Sequence, residues 1–219
     1  MLHVDDHPLL DLRVILARFA RPLGDLSAPD ALHSALRSDA ATPLTAPDAD
    51  VRARVRDLLR RGGYKPTGRG KPAAEYLAKA ADDGRLGAIN PAVDVGNAVS
   101  LHSGLPISAV DHDRLRPPLR VGLAAADATY VFNPAGQTLR ASGLLSLHDD
   151  AGPCANAVKD AQRTKTDPTT RAVLYLLWGA RGLETRVDAA AAWCRTLLAD
   201  LGAEIAADLR YTPGHHEPT

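Results

Sequence analysis

The amino-acid sequence predicts an α+β fold in which a mixed sheet is flanked by helices, and three observations support it. Residues 51–103 contain segments with helical periodicity and residues that favour helix ends. From Ile107 onward the pattern changes to short β-like runs separated by Pro, Gly, Asn and Asp. No segment repeats another, and helices segregated from strands are typical of α+β proteins.

Length and composition indicate one globular domain. With 219 residues, the chain has the size of one ordinary domain. Hydrophobic residues make up 45% of the chain and aromatic residues only 4%, so the core must be aliphatic and rich in alanine. We predict a single domain over residues 1–211, with a C-terminal helix at about 188–208, and a disordered tail over residues 212–219.

The first third of the chain contains one strand and three helices. Alternating apolar residues predict a strand over residues 9–19, and a short helix follows from about 29 to 37. Residues 51–61 form an amphipathic helix that ends at a Gly-Gly pair, and Pro72 begins a helix that runs to about Asp83.

A further helix and a series of strands follow. Residues 89–103 predict a helix that is entered at an Asn-Pro pair and ends at Gly104. Four short runs predict strands, at residues 107–110, 119–123, 129–132 and 144–147. Residues 171–178 are continuously apolar, and their periodicity fits a buried strand or a helix equally well.

Charge is balanced overall but not locally. The 26 cations equal the 26 anions, so nothing global indicates a nucleic-acid binder. Eight cations nevertheless lie between positions 52 and 71, opposed by Asp57 alone: Arg52, Arg54, Arg56, Arg60, Arg61, Lys65, Arg69 and Lys71. Such an excess can hold a phosphate backbone, or it can be a solvated helix face followed by a basic loop.

The cysteines and the N-terminus indicate a cytoplasmic protein. Cys154 and Cys194 lie far apart and neither has a CxxC partner, so we expect reduced thiols, no zinc and no cofactor. No secretory leader and no apolar run of about 20 residues is visible, so no membrane partner is expected. The oligomeric state stays open.

Two stretches resemble a known family. Residues 60–115 resemble the helix–loop–helix and the block that follows it in the B3/B4 editing domain of the phenylalanyl-tRNA synthetase β subunit. The match is ungapped over residues 89–115, INPAVDVGNAVSLHSGLPISAVDHDRL. Residues 154–179, CANAVKDAQRTKTDPTTRAVLYLLWG, are similar to the Arg-Thr-Lys ending of freestanding members. The resemblance covers roughly residues 10–179 and implies a B3/B4 domain-like fold.

The resemblance also implies a function. Freestanding relatives look like trans-editing factors, so the expected activity is hydrolysis of the ester of a mischarged aminoacyl-tRNA, and the expected partner is tRNA. Two alternatives remain: a non-catalytic tRNA- or RNA-binding module, and a protein that acts on a free amino acid or a small modified nucleoside.

The chemistry of such a reaction decides which residues are candidates for catalysis. The ester is already activated, so hydrolysis needs a positioned water and donors for the developing oxyanion. Asp94 and Asn97 share one helix face, and Asn97 matches the family's substrate-contacting asparagine. Ser108 stands where bacterial synthetase domains carry a histidine and could orient water. We predict Asn97, Ser108 and Asp94 as catalytic, although Asp94 could instead brace the neighbouring loop.

Other residues are candidates for binding the substrate and the tRNA. Gly96 stands where the synthetase often has threonine, which would enlarge the pocket, and the polar groups favour a polar or arginine-like amino acid. Lys159 and Asp160 could reach the substrate or form a structural ion pair. The predicted substrate-binding residues are Gly96, Asn156, Lys159, Asp160 and Gly136. The predicted tRNA-binding residues are Arg60, Arg61, Lys65, Arg69, Lys71, Arg163 and Lys165.

Overall fold

The computed structural model has the predicted α+β fold, with helices packed against sheets. It describes residues 2–213, and the backbone alone of residues 215–218. The strands are β1 (Leu2–Val4), β2 (Leu10–Phe19), β3 (Ile107–Asp111), β4 (Leu119–Leu123), β5 (Thr129–Val131), β6 (Thr138–Arg140), β7 (Leu145–Asp149), β8 (Gly152–Asn156), β9 (Ala172–Ala180), β10 (Ala203–Thr212) and β11 (His215–Pro218). The helices are α1 (Asp30–Ser34), α2 (Ala49–Arg60), α3 (Ala73–Asp82), α4 (Pro91–Ser103) and α5 (Glu184–Asp200).

The strands form two main sheets and a separate hairpin. An antiparallel five-stranded sheet has the order β11-β10-β2-β9-β3. A four-stranded sheet has the order β1-β4-β7-β8 and is mixed, because β1 runs parallel to β4. Strands β5 and β6 pair only with each other. The two main sheets approach each other where β8 contacts β3.

Strand β9 settles the ambiguity left by its apolar sequence. Every residue of Ala172–Ala180 is buried. The strand pairs with β2 on one side and with β3 on the other, so both its edges and both its faces are covered. A strand in that position carries no polar face, which is why its sequence lacks the period-two alternation of a half-exposed strand.

The C-terminal region differs from the prediction. The helix predicted at about 188–208 is α5, which ends at Asp200, and residues Ala203–Thr212 form β10 instead. Gly202 has φ +71°, a left-handed conformation that ends helices and favours glycine. The backbone of His215–Pro218 pairs with β10, in the segment predicted to be disordered. Gly214 and Thr219 of that predicted tail lie outside the described residues.

Helix α4 carries the principal site residues, and its two ends are fixed by the sequence as predicted. Asn90 caps the start by accepting a hydrogen bond from the Val93 amide at 3.0 Å, and Pro91 is the first helical residue. Gly104 ends the helix with φ +72°. Helix α4 packs against β3, and Tyr175 of β9 donates a hydrogen bond to the Ala92 carbonyl oxygen of α4 at 2.8 Å. The helix is therefore held in a fixed position beside the end of the five-stranded sheet.

Within the described part of the chain, no helix has both the length and the apolar character that crossing a membrane requires.

Helix α5 lies close to the sheet because Gly179 of β9 has no side chain. A Cβ atom at Gly179 would lie 2.3 Å from Val187 Cγ2 on α5 and 2.5 Å from the Asp11 carbonyl oxygen on β2. We predict that Gly179→Ala lowers the free energy of unfolding by about 1–3 kcal/mol, measured by urea denaturation, because the helix must move away. Gly87→Ala is the matched control, since its Cβ would meet nothing within 4 Å. Equal stability of the two variants would contradict this packing.

Candidate functional site

A cavity of about 230 Å³ lies between the first half of α4, strand β3 and the segment 160–166. Apolar side chains and polar groups line it together. The lining residues are Ile89, Asn90, Val93, Gly96, Asn97, Ile107, Ala109, Asp160, Lys165 and Thr166. Of the sequence-predicted site residues, the fold therefore brings Gly96, Asn97, Asp160 and Lys165 together around one cavity. We call it the α4–β3 cavity hereafter.

The carboxylate of Asp160 is the central charged group of this cavity. Its Oδ1 atom accepts a hydrogen bond from Ser108 Oγ at 2.7 Å and one from the Asn156 amide at 3.3 Å. A backbone hydrogen bond from Ala109 also favours the charged form of this carboxylate. Burial raises the pKa of Asp160 to about 6, opposed by the hydrogen bonds from Ser108 and Asn156 and by the charge of Lys165. A carboxylate with such a pKa is basic enough to take a proton near neutral pH.

Ser108 lies beneath the cavity and does not line it. The residue is fully buried, with 0% exposure, so it does not hold a water molecule in the cavity directly, as its predicted role of orienting water would require. Trp178 Nε1 donates a hydrogen bond to Ser108 Oγ at 3.0 Å, and the Ser108 hydroxyl donates a hydrogen bond to Asp160 Oδ1. Ser108 therefore joins β9, β3 and the Asp160 carboxylate in one hydrogen-bonded chain.

The two predicted catalytic residues of α4 differ in their surroundings. Asn97 lines the cavity, and its carboxamide makes no hydrogen bond to the residues that the structure describes. Asp94 is buried and accepts a hydrogen bond from the Ile89 amide at 2.8 Å, so it braces the entry to the helix. Burial raises the pKa of Asp94, opposed by that hydrogen bond. The loop-bracing alternative describes Asp94 better than direct catalysis does.

Gly96 leaves space in the wall of the cavity. A Cβ atom at this position would meet Ala109 Cβ and Ile107 Cγ2 at 3.7 Å, which is ordinary contact. Glycine is thus not required for packing here, and a larger side chain would project toward β3 and fill the cavity.

Asn156 holds the loop that carries Lys159 and Asp160. Its Oδ1 accepts hydrogen bonds from the Val158 and Lys159 amides at 2.9 and 3.1 Å, and its Nδ2 donates to the hydroxyl of Tyr130. The residue is 2% exposed and does not line the cavity. Its predicted role in contacting the substrate is therefore replaced by a role in shaping the loop.

A second cavity lies on the other side of the segment that carries Lys159 and Lys165. Lys165 lines the α4–β3 cavity and donates a hydrogen bond from Nζ to the Phe132 carbonyl oxygen at 2.7 Å. Lys159 faces the other way, with Nζ 3.9 Å above the centre of the Phe132 ring. Adjacent residues of the chain, Lys159 and Asp160, thus line two different cavities.

The second cavity is a basic groove of about 1220 Å³ between the loop after α2 and the β5–β6 hairpin. It contains two predicted tRNA-binding residues, Lys65 and Arg69, and two predicted substrate-binding residues, Gly136 and Lys159. Its full lining is Gly63, Tyr64, Lys65, Thr67, Arg69, Gly70, Tyr76, Phe132, Gly136, Gln137, Thr138, Leu139, Arg140, Ser142 and Lys159. The fold therefore separates Gly136 and Lys159 from the other predicted substrate residues.

The remaining predicted tRNA-binding residues are not equivalent. Arg60 is exposed and pairs with Asp57 at 2.8 Å. Arg61 and Lys71 are exposed and form no ion pair within residues 2–213. Arg163, in contrast, holds the buried Asp149 carboxylate with both guanidinium ends, at 2.6 and 2.7 Å. Its guanidinium also donates to the Gly152 carbonyl at 3.0 Å, so the group makes three hydrogen bonds that stabilise the fold.

Several contributors to the site were missed in the sequence. Trp178 donates a hydrogen bond to Ser108, Tyr130 donates one to the Lys159 carbonyl oxygen, and Phe132 and Arg140 line the groove. Strand β6, which carries Arg140, was not predicted at all. The signal that was available is the Asn133–Gln137 turn between two short β-like runs, which is typical of a hairpin.

Neither cysteine is positioned as a nucleophile. Burial raises the pKa of Cys154 to about 12, and its Sγ contacts the Leu147 carbonyl oxygen at 3.4 Å. Burial raises the pKa of Cys194 to about 12 as well. Within the described residues, no group of three or more His, Cys, Asp or Glu side chains is arranged to hold a metal ion.

Comparison with known protein families identifies the fold. The sequence profile of the B3/4 domain matches residues 64–192, more than half of the chain. The chain belongs to the B3/4 domain family. The segment that matches the B3/4 domain includes α3, α4, β9 and the whole lining of the cavity beside α4, and all of the groove lining except Gly63.

The fold of this B3/4 domain is also found in a solved structure. An N-terminal fragment of the phenylalanyl-tRNA synthetase β subunit from Pyrococcus horikoshii superposes with a TM-score of 0.54 and 12% sequence identity. The match covers 100% of this chain and 54% of the fragment, so the chain spans about half the length of that relative. A search of curated protein sequences gave no match.

The buried ion pair of Arg163 gives a stability prediction. We expect Arg163→Met to lower the free energy of unfolding by about 1–3 kcal/mol, because it leaves the Asp149 carboxylate buried without its partner. Urea denaturation measures the difference. Lys65→Met, which removes an exposed cation without an ion pair in the described residues, should change stability by less than about 0.5 kcal/mol. If Arg163→Met were as stable as Lys65→Met, the ion pair would have no structural role.

Proposed function

We propose that this B3/4 domain is an aminoacyl-tRNA deacylase that acts in trans, hydrolysing the ester of a mischarged tRNA. The observation that carries the proposal is the Asp160 carboxylate, which lines a cavity of about 230 Å³ and has a pKa raised to about 6. This volume lies below the roughly 300–1,000 Å³ of sites for drug-sized ligands, so it suits a small ligand such as an amino acid. The cations of the basic groove on the other side of the 159–165 loop support a tRNA partner.

In the proposed reaction, Asp160 is the general base. Its carboxylate takes a proton from a water molecule, and the water oxygen forms a bond to the carbonyl carbon of the ester. The tetrahedral intermediate then breaks its bond to the ribose oxygen, and Asp160 returns the proton to that oxygen. The products are the free amino acid and the deacylated tRNA, so no external reactant besides water is needed.

Asn97 and Lys165 are proposed to stabilise the negative charge that develops on the carbonyl oxygen of the ester when water attacks. The Asn97 carboxamide makes no hydrogen bond to the described residues, and it lines the same cavity as Asp160. The ammonium of Lys165 has three protons, of which the Phe132 carbonyl uses one. Donors held in place before the reaction act without a reorganisation cost.

Ser108 and Asp94 are proposed as positioning residues. Ser108 holds Oδ1 of Asp160 from below, and Asp94 holds the Ile89 amide at the edge of the cavity. Neither side chain needs to touch the substrate for its loss to change the rate.

The amino-acid class follows from the walls of the cavity. Ile89, Val93 and Ile107 supply apolar surface, and the side chains of Asn90 and Thr166 supply polar groups that the proposed reaction does not use. Such a site suits an aliphatic stem with a polar or arginine-like end, since a cavity that pairs a polar group rejects analogues lacking it. A panel of mischarged tRNAs tests this directly, and release of phenylalanine in preference to every polar amino acid would contradict it.

The role of Asp160 gives the most direct test of the activity. We predict that Asp160→Asn lowers the deacylation rate of the preferred mischarged tRNA by about 100-fold or more, because the amide cannot accept the proton. The affinity for deacylated tRNA should stay within about twofold. Asp150→Asn, at an exposed carboxylate outside both cavities, is the control and should retain full activity. Absence of hydrolysis by the unaltered protein with every tRNA of the panel would exclude a deacylase and leave an RNA-binding module.

The pH dependence follows from the pKa of Asp160. The reaction needs the carboxylate form, so kcat/KM, corrected for spontaneous hydrolysis, should rise through about pH 6 and level off above it. The Ser108 hydroxyl stabilises that carboxylate, so Ser108→Ala should raise the pKa and move the rising limb to higher pH. Ser100→Ala removes another buried hydroxyl, one bonded to the Leu105 carbonyl, and should leave the limb unchanged. A limb that shifts equally in both variants would contradict the proposed contact.

A further inference from the structure

The basic groove concentrates cations whose charges are not neutralised. Lys65, Arg69, Arg140 and Lys159 line it, and among its lining residues none is Asp or Glu. Within residues 2–213, none of these four cations forms an ion pair. The arginines of α2 behave differently, since Arg56 is held by Glu75 at 2.6 Å.

The cations of the groove also repel one another. Desolvation lowers the pKa of Lys159, and the charges of Arg69 and Lys165 lower it further. Like charges gathered in one concave site raise the free energy of the empty site. A bound polyanion would relieve that repulsion, because each phosphate would replace a missing counter-charge.

Aromatic rings lie between these cations. Tyr64, Tyr76 and Phe132 line the groove, in a chain with only nine Phe, Trp and Tyr residues (2, 2 and 5). Tyr76 is 38% exposed, one of the most exposed large apolar side chains. Alternation of aromatic rings and cations is typical of sites that stack unpaired bases and contact the linking phosphates.

The two walls of the groove are fixed by hydrogen bonds of their own. On one side, the Tyr76 hydroxyl donates to the Gly68 carbonyl at 2.8 Å and holds the loop after α2. On the other side, Asn133 Nδ2 donates to Gln137 Oε1 at 2.8 Å, and the Gln137 amide donates to Asn133 Oδ1 at 3.0 Å. The groove therefore exists before any ligand binds, which lowers the entropic cost of binding.

We propose that the basic groove binds a single-stranded RNA segment, with the β5–β6 hairpin as one wall and the loop after α2 as the other. Arg69, Arg140 and Lys159 contact the phosphates, and Tyr76 stacks on a base. Base stacking on side chains requires unpaired nucleotides, so a duplex does not satisfy the groove. This inference rests on the proposed function, since the strand in question is the unpaired end of the tRNA that carries the ester. The Lys159–Asp160 pair places the two cavities on opposite sides of one short loop.

The experiment measures binding of a fluorescent single-stranded RNA of about eight nucleotides by anisotropy, beside a duplex of the same sequence. We expect the single strand to bind at least about tenfold more tightly than the duplex. Arg140→Met should weaken binding about three- to tenfold and lower the slope of log K against log salt by about 0.7, the value for one phosphate on a single strand. Arg18→Met, at an exposed arginine on β2, should change neither quantity.

Two variants of Tyr76 separate stacking from loop fixation. Tyr76→Leu removes the ring and the hydroxyl and should weaken single-strand binding by about tenfold, the order expected for one stacked base. Tyr76→Phe removes only the hydroxyl that bonds to Gly68 and should retain most of the affinity. Equal loss in both variants, or equal binding of single strand and duplex, would overturn the proposal.

The same variants distinguish failure of this inference from failure of the proposed activity. Groove-dependent binding of the single strand, without hydrolysis of any mischarged tRNA, would reject the deacylase and support the groove. Hydrolysis that depends on Asp160 but is unaffected by Arg140→Met and Tyr76→Leu, with no binding of the single strand, would overturn the groove alone.

Discussion

The hydrogen bond from Ser108 Oγ to Asp160 Oδ1, at 2.7 Å, joins the five-stranded sheet to the loop that separates the two cavities. Ser108 is itself fixed by Trp178 on the central strand β9, so the position of the Asp160 carboxylate is set by the core. Burial disfavours the charged form of this carboxylate and raises its pKa to about 6. A group that is positioned rigidly and made more basic by burial has the properties of a general base.

The loop after β8 distributes charge between the two cavities. Asn156 accepts hydrogen bonds from the amides of residues 158 and 159, which forces a tight turn. Because of that turn, Lys159 lies over Phe132 in the groove while Asp160 lines the α4–β3 cavity. One short segment thereby places a cation in the groove and a carboxylate in the other cavity.

The arginines of this chain fall into two physical classes. Arg163 and Arg56 each hold a carboxylate through two guanidinium nitrogens, and the Asp149 side chain beneath Arg163 has 0% exposure. Such pairs are costly to break and contribute to the fold. Arg69 and Arg140 line the groove and form no ion pair within residues 2–213. A cluster of cations in a sequence therefore overstates the surface that is available to a phosphate backbone.

The sequence by itself determined the α+β class, the bounds of α4 and the position of Gly96 and Asn97 on that helix. These follow from local chemistry: an Asn-Pro start, a Gly end and helical spacing act within a few residues. Residues 171–178 stayed ambiguous because a strand paired on both edges has no polar face to reveal its period. Residues 203–208 were assigned to a helix because alanine favours one, whereas pairing with β2 made them a strand.

Only the tertiary structure decided what each polar side chain does. Ser108, Asn156, Asp94 and Arg163 have the residue types of a reactive or anion-binding site, yet their partners lie 48, 26, 5 and 14 positions away and bury or engage them. Most such partners are distant in the chain, and sequence spacing carries no information about contacts that the packing of sheets and helices creates. The same physical reason explains why two cavities, and not one, appear where the sequence suggested a single polar site.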